Sequence, residues 1–126
     1  MSKRILLIDD DPITNFFNQK LITQTTASIE VKAVTSVSDA IIFLRMNKDK
    51  WIPDFIFLDI FMPIKNGWDF LEEFQQEFNS LSTTIKLFML SSSVYAEDVN
   101  KAKNHYLVID YISKPLSEKW LNEILN

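Results

Sequence analysis

The sequence predicts an α/β domain of the doubly wound kind: three layers, five βα units and a five-stranded parallel sheet in the middle. Three observations carry that reading. Short apolar runs alternate five times with segments of helical periodicity along 126 residues. The runs lack the strict apolar–polar alternation of a sheet with one wet face, which suits strands covered on both sides. A chain of this length also makes one domain, residues 1–126, large enough to bury a real core.

The elements follow in order. Ile5 to Ile8 is the first strand. Pro12 then opens a helix as a good first-turn residue, with Ile13, Phe16, Phe17 and Leu21 as its expected core stripe. Ile29 to Val34 is a weaker strand. Ser36 with Asp39 looks like a capping box, ahead of the stripe Val37, Ala40, Ile41 and Leu44. Phe55 to Leu58 is the third strand, Asn66-Gly67 reads as a turn, and Phe70, Leu71, Phe74 and Phe78 form the third stripe. Leu87 to Leu90 is the fourth strand. The helix from Tyr95 to Asn104 has the thinnest apolar side, only Ala96, Val99 and Ala102. Leu107 to Ile112 is the fifth strand, and Leu116, Trp120, Leu121 and Ile124 close the pattern. The ten phenylalanines are expected mostly in the core.

Composition removes several function classes. With 47% apolar and 24% charged residues the chain has an ordinary globular make-up. A net charge of −4 argues against nucleic acid or an anionic membrane as the main partner. There is no cysteine, so disulfides, thiol chemistry and Cys-based zinc sites are excluded. The single glycine, Gly67, rules out a dinucleotide fingerprint or a P-loop, whose backbones need several glycines to approach phosphates. The single histidine, His105, leaves no His cluster for a metal, and no role is assigned to it. Met1-Ser2-Lys3-Arg4 precedes too few apolar residues for a signal peptide, and no run reaches membrane-span length, so a cytoplasmic protein is expected.

In folds of this class ligands sit at the carboxyl ends of the strands. Asp9, Asp10 and Asp11 follow the first run, Asp59 the third, Ser91, Ser92 and Ser93 the fourth, and Lys114-Pro115 the fifth. Carboxylates ~4 Å apart repel by about 4 kcal/mol per pair at an effective dielectric of 20, so a gathered set invites a divalent cation. Oxygen-only ligands suit Mg²⁺. A carboxylate beside Mg²⁺ can attack phosphorus to give an aspartyl phosphate, with lysine and hydroxyl holding the extra oxygens. Each residue alone has a plainer reading: Asp9 to Asp11 as a turn and helix cap, Ser91 as a strand end, Lys114 as a surface lysine. Their order at consecutive strand ends carries the argument.

Ile8-Asp9-Asp10, Leu58-Asp59-Ile60-Phe61-Met62-Pro63, Leu90-Ser91 and Ser113-Lys114-Pro115 resemble the motif set of the receiver domains of two-component response regulators, of the single-domain chemotaxis-regulator type. The likeness spans essentially the whole chain. It implies a flavodoxin-like fold and a Mg²⁺-dependent phosphoacceptor switch working in a phosphorelay. Asp59 would be the phosphoacceptor. Asp9, Asp10, Asp59 and the backbone carbonyl of Phe61 would hold the metal. Ser91 and Lys114 would bind the phosphoryl group, and Ser91 with Tyr111 would form the switch. The Lys114-Pro115 bond is a candidate cis peptide, and Gly67 matches the family's turn into its third helix. The resemblance implies a sensor histidine kinase or histidine phosphotransfer protein as phosphodonor and an unidentified protein target, with no turnover of a separate substrate. Asp110, Phe61 and Ser92 depart mildly from the usual pattern.

Other readings compete. A haloacid-dehalogenase-type phosphatase would use Asp9 as nucleophile within Asp9-x-Asp11. A flavodoxin-like flavin binder would have to tolerate the acidic first loop. A receiver used as an interaction module would work without phosphorylation.

Overall fold

The computed structural model describes residues 2–92 and 95–126. The chain runs β1 (Lys3–Ile8), α1 (Pro12–Thr25), β2 (Ile29–Val34), α2 (Val37–Asn47), β3 (Phe55–Asp59), α3 (Gly67–Phe78), a 3₁₀ turn (Asn79–Leu81), β4 (Lys86–Ser91), α4 (Ala96–Lys103), β5 (Val108–Ser113) and α5 (Glu118–Leu125). All five strands are parallel, in the order β2-β1-β3-β4-β5. The predicted doubly wound architecture is the observed one, and the strands bearing Asp9, Asp59, Ser91 and Lys114 are consecutive neighbours.

Strand side chains alternate between faces, and here both faces are dry. Ile5, Leu7, Phe55, Phe57, Phe88 and Leu90 pack with Ile22, Leu121 and Leu125 from α1 and α5. Leu6, Ile8, Ile56, Leu58, Leu87 and Met89 pack with Ile41, Phe70, Phe74 and Ala102 from α2, α3 and α4. Each such Leu, Ile, Phe or Met side chain contributes about 1.5–3 kcal/mol by leaving water. That is why these runs carry no alternation in the sequence. The two edge strands, β2 and β5, are the half-exposed exceptions, and β2 read as the weakest strand.

The helix starts are chemically marked. Ser36 accepts a hydrogen bond from the Asp39 N–H at 3.0 Å. The reciprocal capping box forms at Asn66 and Asp69, each side chain accepting from the other's backbone N–H. Gly67 therefore begins a helix rather than sitting inside a free turn.

α1 corrects the sequence reading. Ile13, Phe16 and Phe17 are 64%, 61% and 62% exposed, while Asn15 and Ile22 are buried. Periodicity reports which residues share a face, not which face meets the sheet. The choice is made by Asp11, whose side chain accepts from the Ile13 N–H and starts the helix, and by Asn15, whose amide is hydrogen-bonded beneath it. Phe61 is also largely exposed, so three phenylalanines lie outside the core.

Ile64, in the loop after β3, has φ 71° and a fully exposed side chain. A β-branched residue pays about 1–2 kcal/mol in that left-handed region, whereas glycine does not. Ile64→Gly should therefore raise unfolding stability by about 1 kcal/mol, after allowing for the freer unfolded chain. Urea denaturation checks this, and a loss of stability would mean the side chain has an unseen packing role.

Candidate functional site

The site lies at the carboxyl ends of β1, β3, β4 and β5. Asp9 follows β1 and is held there by its N–H, which donates to Val34 O at 3.2 Å. Asp59 is the last residue of β3 and Ser91 the last of β4. The Lys114 N–H donates to Ser91 O at 2.9 Å, which seats the lysine against the β4 end. The Lys114–Pro115 peptide, a candidate cis bond on the motif resemblance, is cis.

Three carboxylates converge. One oxygen from each of Asp9, Asp10 and Asp59 lies within 4.8 Å of the others, an oxygen-donor set that suits a hard divalent cation such as Mg²⁺. Asp9 and Asp59 are buried and Asp10 is exposed. Lys114 Nζ donates to Asp9 Oδ2 at 2.6 Å and lies 3.5 Å from Asp59 Oδ1. Burial pushes the Asp59 carboxyl up to about 6 against the pull of Lys114, and the charges of Asp9 and Asp10 add to the rise. Burial works against the Lys114 charge, but the Asp9 hydrogen bond and the charges of Asp59 and Asp9 outweigh it and hold the ammonium above its usual range.

Asp11 stands apart from this group. Its carboxylate accepts from the Ile13 N–H at 2.9 Å and from Thr14 Oγ1 at 3.0 Å, so it is the cap of α1. An Asp9-x-Asp11 phosphatase motif does not form. Ser91 is fully buried at the β4 end, and Ser92 beside it is exposed. Ser93 lies outside the described residues. The Phe61 ring is exposed two residues beyond Asp59.

Tyr111 is buried in the cluster that also holds Ala102 and Met89. Asp110 sits beside a register shift between β4 and β5, where Ile109 is the extra residue, and its Oδ1 accepts from the Tyr111 N–H at 2.8 Å. The departure at Asp110 thus lies in a bulged strand.

Two features near the site gave no signal beforehand. Asn15 is a buried polar residue whose amide reaches Asp9 O. Trp68 lies beneath Lys101 of α4, with Nζ 4.4 Å from the ring centroid. The nearest sequence hint was that Asn15 precedes Ile22 by seven residues, on one helix face.

The family model described as "Response regulator receiver domain" matches residues 5–126. The chain belongs to that family. A two-component response regulator from Cytophaga hutchinsonii has a crystal structure similar to this receiver, with TM-score 0.90 and 37% identity, covering 97% of this chain and 92% of that one. A response regulator receiver protein from Dyadobacter fermentans is similar with TM-score 0.85 and 30% identity, covering 98% and 95%. The "Probable C4-dicarboxylate response regulator DctR" of Halalkalibacterium halodurans is 26% identical over 97% of this chain but only 49% of its own length. The receiver thus spans about half of that curated relative. The family assignment sets aside the phosphatase and flavin-binding readings: this is a response regulator receiver of two-component signalling. Among the described residues no helix is long and apolar enough to cross a membrane.

Proposed function

We propose that this receiver is a phosphoacceptor switch in which Asp59 takes a phosphoryl group from a phosphohistidine donor, either a sensor histidine kinase or a phosphotransfer protein. The observation that carries this reading is the convergence of Asp9, Asp10, Asp59 and Lys114 at one strand-end pocket. The Asp59 carboxylate attacks phosphorus, the P–N bond to the donor imidazole breaks, and an acyl phosphate forms. Asp9, Asp10, Asp59 and the Phe61 carbonyl would hold Mg²⁺, which neutralises charge on the transferring oxygens when bound. Lys114, kept charged by its neighbours, pairs with one phosphoryl oxygen, and the Ser91 hydroxyl takes another.

Incubation with acetyl phosphate and Mg²⁺ should add one phosphoryl group by intact mass. Asp59→Asn or a chelator should remove the adduct; a persistent adduct in Asp59→Asn would place the acceptor elsewhere.

The exposed face of α1 supports a protein donor. Ile13, Phe16 and Phe17 present apolar surface beside the site, and Phe17 shares with Lys114 a cavity of about 510 Å³. Replacing both Phe16 and Phe17 by alanine should slow transfer from a phosphorylated histidine-containing protein about tenfold or more, while labelling by acetyl phosphate is unchanged. Equal loss with both donors would mean the rings support the site itself.

Output runs through Ser91 and Tyr111. Ser91 drawn toward a phosphoryl oxygen changes the packing of the neighbouring strand, where Tyr111 shares a core with α4. The face made by α4, β5 and α5 is where a partner protein distinguishes the two states. Ser91→Ala should accept phosphate yet blunt the beryllofluoride-induced amide shifts of α4 and β5. Shifts as large as in the wild type would exclude the hydroxyl as the link.

A further inference from the structure

We propose that Asn15 is a positioning residue for the acidic pocket, fixing the backbone from which Asp9 and Asp10 project. The inference rests on the Mg²⁺-dependent reading above and goes beyond it by naming what holds the carboxylates in place.

Asn15 faces inward from α1 and is 5% exposed, at a position where its helix neighbour one face-repeat on is the wholly buried Ile22. Its Nδ2 donates to Asp9 O at 3.0 Å and to Val34 O at 3.3 Å. Both neighbours are carbonyl oxygens, so the amide can sit only with its NH₂ toward them. Oδ1 is then left without a partner among the described residues. A buried acceptor without a partner is unfavourable, and an apolar side chain would avoid it. The polar side chain is kept at that cost, and what it touches explains why.

Val34 O also receives the Asp9 N–H, so the Asn15 amide closes a three-way junction between the ends of β1 and β2 and the start of α1. The Asp9 carbonyl is the peptide that leads into Asp10. From this junction Asp9 reaches Lys114 with Oδ2, while its Oδ1 accepts from the Asp11 N–H at 3.0 Å. The chain thus passes through the acidic turn with its peptides held on both sides. Carboxylates that repel one another do not gather on a loose turn without such restraint. Ligand-supporting partners of this kind are commonly worth about 10–100-fold in metal affinity.

The test uses Asn15→Leu, which keeps the volume and removes the donor, with Ile22→Ala as a control that weakens the same helix face without touching Asp9. Mg²⁺ dissociation constants come from amide chemical-shift titration, alongside thermal melts and the metal-free shifts of Asp9 to Asp11. Asn15→Leu should raise the dissociation constant about tenfold and move those metal-free shifts. Ile22→Ala should lower the melting temperature and leave the dissociation constant unchanged. A folded Asn15→Leu that binds Mg²⁺ as the wild type does would overturn the positioning role, as would an Ile22→Ala that loses affinity equally. Should Asn15→Leu fail to fold, Asn15→Ala decides by the same titration. A wild type with no saturable Mg²⁺ binding would instead overturn the proposed function, and this role with it.

Discussion

Gly67→Ala is expected to destabilise the receiver by about 3 kcal/mol and to impair phosphorylation, although alanine is the better helix former. A Cβ at this position would lie 2.7 Å from Asp59 O, 3.0 Å from Ile60 Cα and 3.0 Å from Met89 Cε. The methionine end can move, but the two backbone atoms cannot without shifting β3. The Gly67 N–H also donates to Ile60 O at 2.8 Å, which pulls the start of α3 tightly against the end of β3. Gly67 has no positive φ, so its backbone freedom is not what the position needs. Helix propensity returns up to ~1 kcal/mol to alanine, too little to offset a backbone collision. Urea denaturation gives the stability, and acetyl phosphate labelling shows whether Asp59 has been displaced. A variant as stable and as readily labelled as the wild type would show that the loop between β3 and α3 yields at little cost.

Asp59→Asn should make the metal-free protein more stable above about pH 6 by about 2 kcal/mol. The Asp59 carboxyl is raised from 3.8 to about 6, first by burial and then by Asp9 and Asp10, with Lys114 opposing. A raised folded-state value means the native protein binds the proton more tightly than the unfolded chain. Stability therefore falls as pH rises from about 4 to 6 and stays low above that window. The full shift corresponds to about 3 kcal/mol, reduced here because solvent reaches the pocket mouth through exposed Asp10. Asparagine removes both the charge and the slope. Saturating Mg²⁺ should flatten the slope in the wild type by relieving the same repulsion. Thermal melts across the window decide the matter: an Asp59→Asn curve parallel to the wild type would show that Lys114 already cancels the cost of the charge.

The architecture was legible in the residue pattern, and so were the residues that stand at the strand ends. Two-sided burial leaves strands as uninterrupted apolar runs, and a parallel sheet brings all their carboxyl ends to one edge. Asp9, Asp10, Asp59, Ser91 and Lys114 could therefore be placed along one edge, and in one pocket on the condition that β1, β3, β4 and β5 are neighbours. Other features rest on choices that local periodicity cannot make. The contact between Lys114 and Asp9, 105 residues apart, depends on the strand order, which sets which ends are adjacent. The stripe of Ile13, Phe16 and Phe17 was visible, but its direction was not: the cap at Asp11 and the amide of Asn15 turn it to the surface. α4 read as weakly anchored from its thin apolar side, and its tie to Trp68 through Lys101 arises from a helix on a neighbouring unit. Gly67 read as a turn residue, whereas its role is to leave room for the Asp59 carbonyl. Patterns along a chain record which residues share a face; approach between elements is set by packing, and only the folded chain supplies it.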